Sequence, residues 1–171
     1  MFASFKKRWR FLLYSAAILV VHVPLHAQSP VNAKQEKAKL QGTWQAVAWL
    51  DDGEKESDEV LQYIRWTFKA DTLFSTKALT VTICGKRTVK GQGGTVESTF
   101  NIHPEKMPKV MITKTVRPFE GIILKSIYSL DGDTLKVCAS KQAEKGLPAD
   151  FTAPKGSGRL LITLKKKADS K

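Results

Sequence analysis

The chain has 171 residues, 42% of them apolar and 26% charged. Its 28 Lys and Arg outnumber its 16 Asp and Glu, for a formal net charge of +12. This length suits one domain with a real core rather than a string of domains, and three His and two Cys make the chain poor in soft metal ligands.

Residues 1–27 read as a secretory signal peptide. Lys6, Lys7, Arg8 and Arg10 give a basic start, Phe11 to Val23 is a mostly apolar run of 13 residues, and Pro24 breaks it. Leu25-His26-Ala27 then places a small residue at the cut. A spanning helix needs about 20 apolar residues, so no stable membrane span is expected after cleavage. No Cys follows the run, which argues against a lipid-modified N-terminus. The expected destination is export, to the periplasm or the exterior. Cleavage after Ala27 leaves 144 residues, with 24 basic against 16 acidic ones and a net charge of +8. That balance favours an anionic cell-envelope polymer or protein as a partner; nucleic acid is not expected for an exported protein.

Residues 28–39 are polar and Lys-rich and read as a linker, with a helical turn over 33–38. Strand signals then recur at short spacing. Thr43 to Leu50 is the first, ended by Asp51-Asp52-Gly53. Glu54 to Leu61 is charged and suits a short helix capped by Ser57. Gln62 to Lys69 alternates, with Ile64, Trp66 and Phe68 on one face, as a half-buried strand does. Ala70-Asp71 turns the chain into Thr72 to Thr76. Leu79 to Cys84, Arg87 to Lys90 and Thr95 to Ile102 are further strands, and Gly91-Gln92-Gly93-Gly94 reads as a flexible hairpin tip. No helix pattern or Lys-Ser/Thr pair follows those glycines, so they do not form a phosphate loop.

Pro104 and Pro108 exclude a central strand between Ile102 and Lys109. Lys109 to Thr115 and Gly121 to Leu130 follow. Asp131-Gly132-Asp133 is a tight-turn signal leading into Thr134 to Ala139. After a loop over 140–157, Arg159 to Lys166 places Leu160, Ile162 and Leu164 on one face. The sum is an all-β domain over 40–167, with at most one or two short helices and a short tail at 168–171. About eight sequential antiparallel strands close most simply into an up-and-down β-barrel, with a two-sheet sandwich as the other architecture. Closure removes the exposed strand edges.

Gly42-Thr43-Trp44 resembles the Gly-x-Trp at the first strand of lipocalins. That resemblance implies a Trp plugging one end of the barrel and a basic residue, here Arg159, packed across its ring. The order of Leu40-Gln41-Gly42-Thr43-Trp44, Arg65-Trp66-Thr67-Phe68, Gly121, Ile127 to Leu135, Phe151, and Lys155-Gly156-Ser157-Gly158 with Leu160 to Lys165 is more specific. It resembles an uncharacterised lipocalin-like domain family abundant in planctomycete bacteria, across about residues 38–166. The resemblance implies an exported lipocalin-like barrel; it carries no activity, cofactor or catalytic residues. The segment Phe74 to Arg87, with Cys84, departs from the pattern.

Catalytic and metal chemistry is poorly supported. The part after the leader has one histidine, His103. Gly156-Ser157-Gly158 lacks the strand–turn–helix setting of a nucleophilic serine. Asp51-Asp52 and Asp131/Asp133 lie in turns, where Asp bonds its own backbone. No catalytic residue, metal or cofactor is therefore assigned, and the domain is expected to be non-enzymatic. Trp66, Phe68 and Tyr128 lie on apolar faces and would line a cavity for a small apolar ligand, or fill the barrel. Cys84 and Cys138 either pair, with about 4 kcal/mol of stabilisation in the chain-entropy model, or remain buried thiols. If the barrel is filled, the expected role is a surface interaction module whose basic face, including Lys165, Lys166 and Lys167, contacts anionic polymers or proteins.

Overall fold

The computed structural model of the chain describes residues 33–168 other than Gly85, Ala143 and Glu144. The expected signal peptide, the first residues of the expected linker and the end of the tail lie outside the described residues. The elements are α1 (Ala33–Leu40), β1 (Gly42–Asp51), β2 (Glu54–Lys55), α2 (Asp58–Leu61), β3 (Arg65–Lys69), β4 (Thr72–Ile83), β5 (Lys86–His103), β6 (Lys109–Arg117), β7 (Ile123–Asp131), β8 (Thr134–Ser140) and β9 (Arg159–Lys166). From β3 to β9 each strand pairs antiparallel with the next, and β1 pairs with both β3 and β9. The result is a closed antiparallel barrel of eight strands, consistent with a lipocalin-like fold. The two-residue β2 folds back on the end of β1. A sandwich would have left β1 and β9 as edges; their ladder from Trp44–Lys166 to Asp51–Leu160 removes both.

The two ends of the barrel differ. At one end lie α1, the β3–β4 and β7–β8 turns and the β5–β6 connection. Here Leu40 and Trp44 are fully buried and the helix caps the barrel. At the other end lie the β1–β2 turn, the long β4–β5 hairpin, the β6–β7 connection and the β8–β9 loop. They are called the capped end and the loop end below.

Several boundaries depart from what the sequence suggests. Gly91 to Gly94 is not a hairpin tip: β5 runs unbroken through it, and the chain reverses between the end of β4 at Ile83 and the start of β5 at Lys86. Register shifts between Thr76 and Ala78 and between Leu79 and Thr80 account for the glycines. A Cβ on Gly93 would stand 3.1 Å from the Lys77 carbonyl oxygen, so the bulged ladder needs a residue without one. The helix expected over Glu54 to Leu61 is confined to α2, because Glu54 and Lys55 pair with β1 instead. Ser57 occupies the N-cap position but makes no side-chain cap bond. Residues 33–40 are part of the domain rather than a linker: Glu36 and Leu40 of α1 are buried against the barrel.

Candidate functional site

Directly paired residues share a face of a sheet, and successive residues alternate. The register therefore sorts the barrel wall. Trp44 stands beside Trp66 and Trp66 beside Ser75; Phe68 stands beside Leu73, and Leu73 beside Ser98. Phe100, Thr113 and Leu124 form a further inward row, and so do Met111, Ser126, Ala139 and Leu160. Tyr128, Val137 and Ile162 form another.

These rows grade from one end to the other. Toward the capped end the interior holds Trp44, Phe68, Phe100, Met111, Tyr128, Leu135 and Leu164, each at most 2% exposed. Toward the loop end the inward positions include Ser75, Ser98, Thr113, Thr115, Ser126 and Ala139, which are small or carry hydroxyls, beside the bulkier Trp49, Trp66, Leu124 and Leu160. Among them Leu124 faces inward and is still 37% exposed. Trp49 and Trp66 are only partly buried where they meet the core.

Trp66, Phe68 and Tyr128 thus all face the barrel interior. Phe68 and Tyr128 are built into the packed half, whereas Trp66 borders the loop-end half. The Trp66 and Phe68 rings meet edge to face at 6.2 Å, and Phe68 meets Phe100 at 5.0 Å. The Tyr128 hydroxyl is buried and has no hydrogen-bond partner among the described protein groups. Burial pushes the Tyr128 pKa well above its ordinary value, with the charges of Glu36 and Glu105 adding to the effect. The hydroxyl is therefore a neutral donor across the physiological range.

The capped end supplies two charged residues that the sequence did not flag, Glu36 and Lys109. Glu36 of α1 is 2% exposed and pairs with Lys109 at 2.5 Å and with Lys39 at 3.8 Å. The Lys109 ammonium also lies 5.9 Å from the Tyr128 ring centre. Gln41 clamps the neighbouring turn: its amide accepts the Ala70 N–H and donates to the carbonyls of Lys37 and Ala70. The Trp44 indole N–H donates to the Leu40 carbonyl at 2.7 Å and so ties β1 to the end of α1.

The cation across Trp44 is Lys166, whose ammonium lies 5.4 Å from the ring. Arg159, expected there, is at the opposite end of β9, paired with Asp150 at 3.0 Å. The ladder explains this: Trp44 is opposite Lys166, while Leu160, next to Arg159, is opposite Asp51. Parity in the sequence carried the signal, because Lys166 continues the inward series Leu160, Ile162, Leu164. Gly42 leaves room for this contact. It has φ +106°, and a Cβ there would stand 3.3 Å from the Lys166 Cε.

Cys84 and Cys138 are not brought together. Both are free, with Cys84 exposed at the turn of the β4–β5 hairpin and Cys138 buried in β8. The hairpin carries Cys84 beyond the barrel wall, and β8 belongs to a different part of the closed ladder. The Cys138 thiol donates to the Thr152 carbonyl under the β8–β9 loop, and burial raises its pKa.

Several carboxylates are spent on structure. Asp51 pairs with Lys141, and Glu56 takes two bonds from Arg87 at 2.8 and 2.9 Å. These residues, with Asp52, Glu54, Lys55 and Lys155, line a charged cleft of about 350 Å³ at the loop end. Asp52 accepts the Gly158 N–H at 2.7 Å, and this bond is the leading cause of its lowered pKa. Glu97 forms an ion pair with Arg117 on the strand wall, and His103 lies 3.2 Å from Glu105. Of the basic run at the C-terminal end, Lys165 and Lys167 are exposed while Lys166 is engaged with Trp44 and the Lys39 carbonyl. Among the described residues, no group of three His, Cys, Asp or Glu is gathered to hold a metal ion. No described helix is long and apolar enough to cross a membrane.

Compared with protein-family models, curated proteins and solved structures, the chain matches none.

Proposed function

We propose that the protein is a non-enzymatic, exported binding domain that takes a small, mainly apolar molecule into the loop-end half of its barrel. The supporting observation is the graded interior. Bulky side chains fill the capped half, while in the half that faces the loops small and hydroxyl-bearing ones are interspersed with Trp49, Trp66, Leu124 and Leu160. Trp66 forms one side of this space. Tyr128, the next inward residue to Ser126 along β7, belongs to the packed half against which the ligand would rest, and its unpartnered hydroxyl is the proposed donor to a polar group at the ligand's inner end. Leaving such a buried hydroxyl unpaired costs about 1–3 kcal/mol, which a bound acceptor would recover. The resemblance to lipocalin-like domains agrees with this reading.

The test is titration of the purified domain with cis-parinaric acid, a fluorescent fatty acid, alongside native mass spectrometry. One-to-one saturable binding is expected. Trp66→Ala should weaken it by about tenfold, since a large aromatic contact is lost. Tyr128→Phe should weaken it without lowering the melting temperature, because the hydroxyl has no protein bond to lose and its unpaired burial is relieved. Absent binding, or binding unaffected by both substitutions, removes this reading and leaves a filled barrel acting through its surface.

A further inference from the structure

The exposed large apolar side chains are concentrated at one end of the molecule. Leu79 and Val81 on the β4–β5 hairpin, Phe119, Ile122 and Ile123 around the β6–β7 connection, and Leu147 on the β8–β9 loop are 38–69% exposed. Away from the loop end, only Val47 and Met107 are comparably exposed among the described residues. Apolar side chains gathered in this way mark an interaction surface. The β6–β7 connection is also held in shape. The Thr115 N–H donates to the Ile122 carbonyl at 2.8 Å, and the Gly121 N–H donates to the Thr115 carbonyl at 2.9 Å. Phe119 and Ile122 therefore sit on a preformed tip that loses little freedom on contact.

The same end is basic. The segment Thr72 to Val96, which makes the whole hairpin extension, contains Lys77, Lys86, Arg87 and Lys90 and no Asp or Glu. On the β6–β7 ladder Lys114 stands directly opposite Ile123, so the ammonium and the apolar side chain leave the wall on one face. Lys77, Lys90, Lys114 and Lys125 are exposed and form no ion pair among the described residues. The acids at this end are fewer and most are engaged: Glu97, Glu56, Asp51 and Asp150 pair with Arg117, Arg87, Lys141 and Arg159, Asp52 accepts the Gly158 N–H, and Glu54 and Glu120 form no ion pair among the described residues.

We propose that the loop end docks on the surface of an anionic phospholipid bilayer. Phe119, Ile122 and Ile123 enter the boundary between headgroups and acyl chains, and the lysines around them meet the phosphates. Apolar contact combined with local positive charge is the physical recipe for interfacial binding. A protein partner fits less well. The apolar side chains are spread over three separate connections, whereas a stable protein interface needs about 800 Å² of matched surface per partner. A bilayer demands no matched shape. Docking does not require a ligand in the barrel, so it stands or falls separately from the binding function proposed above.

The experiment is vesicle flotation of the chain starting at residue 28, which keeps α1 and all eight barrel strands. Vesicles of phosphatidylcholine alone are compared with mixed phosphatidylcholine–phosphatidylglycerol vesicles. Binding to the mixed vesicles should be tighter by about tenfold or more and should weaken as salt is added. Phe119→Ser with Ile122→Ser should lower partitioning by about tenfold, with the thermal melt unchanged because both residues are exposed. Lys114→Glu with Lys125→Glu should remove the preference for anionic vesicles. Absent binding to the mixed vesicles overturns the proposal, as does binding that neither double variant alters. Sedimentation equilibrium adds a further arm: a dimer dissolved by the Phe119/Ile122 variant, without vesicle binding, would assign the patch to a second copy and also overturn it.

Discussion

Gly42, Trp44 and Lys166 form one device at the capped end. The indole bonds the last carbonyl of α1, the ammonium lies across its ring, and the glycine backbone leaves space for the lysine stem. Gly42→Ala places a Cβ at φ +106°, a region that residues with side chains avoid, and crowds Lys166. It should cost about 1–3 kcal/mol in urea unfolding. Lys166→Met, which keeps the stem and loses the charge, should cost less, about 0.5–1 kcal/mol. Arg159→Met should leave Trp44 fluorescence untouched, since that side chain is at the far end of β9. A Gly42→Ala protein as stable as the wild type would remove the steric account. At this scale the sequence was partly legible. Gly42 and Trp44 stood out as a pair, but their cation could not be identified without the β1–β9 register.

Short elements at the loop end are joined by side-chain bonds to backbone. The Asp51-Asp52-Gly53 turn holds the β8–β9 loop: Asp52 accepts from Gly158, its N–H donates to the Arg159 carbonyl, and Gly53 lies against the Lys155 backbone. A Cβ on Gly53 would come within 2.6 Å of the Lys155 nitrogen, so the approach needs glycine. The Asp52 pKa is lowered in the folded chain, first by the bond from Gly158. A carboxylate with a depressed folded pKa stabilises the fold above its unfolded value, and that stabilisation is lost as pH falls through the folded value. The Asp150 pKa is lowered too, first by its bond from Thr152, and has the same sign. Stability should therefore fall as pH drops below the ordinary Asp value of 3.8. Asp52→Asn should show a shallower fall in urea midpoint over that range. An identical pH profile for the variant would mean that the clip contributes nothing measurable. Element identity was mostly legible here, because alternation and the Asp-Gly turn are local signals. The run Gly91 to Gly94 misled because glycine serves bulges as readily as turns, and only the partner strand decides between them.

Across the whole molecule, closure puts the two cysteines in different environments. Cys84 is exposed at a hairpin turn, while Cys138 is fully buried in β8 under the β8–β9 loop. In the native protein a maleimide should label Cys84 rapidly. Cys138 should react only through opening of the barrel, at a rate that follows global stability as urea is added. Reductant should not change the unfolding midpoint. A fall in midpoint on reduction, or protection of both thiols without reductant, would mean that a disulfide forms after all.

The sequence by itself determined the all-β class, most strand positions, the inward faces of β3 and β9 and the inward direction of Trp66, Phe68 and Tyr128. These follow from period-two alternation and turn chemistry, which act over a few residues. Only the tertiary structure decided that β1 meets β9, that α1 plugs one end, that Lys166 rather than Arg159 covers Trp44, and that Cys84 and Cys138 stay apart. It also placed the bulky residues in one half of the barrel and the exposed apolar side chains with their lysines at the other end. Each of these depends on which strand lies beside which. Pairing between residues more than a hundred positions apart is set by closing the ladder around a shared core and leaves no mark in any local stretch of the chain.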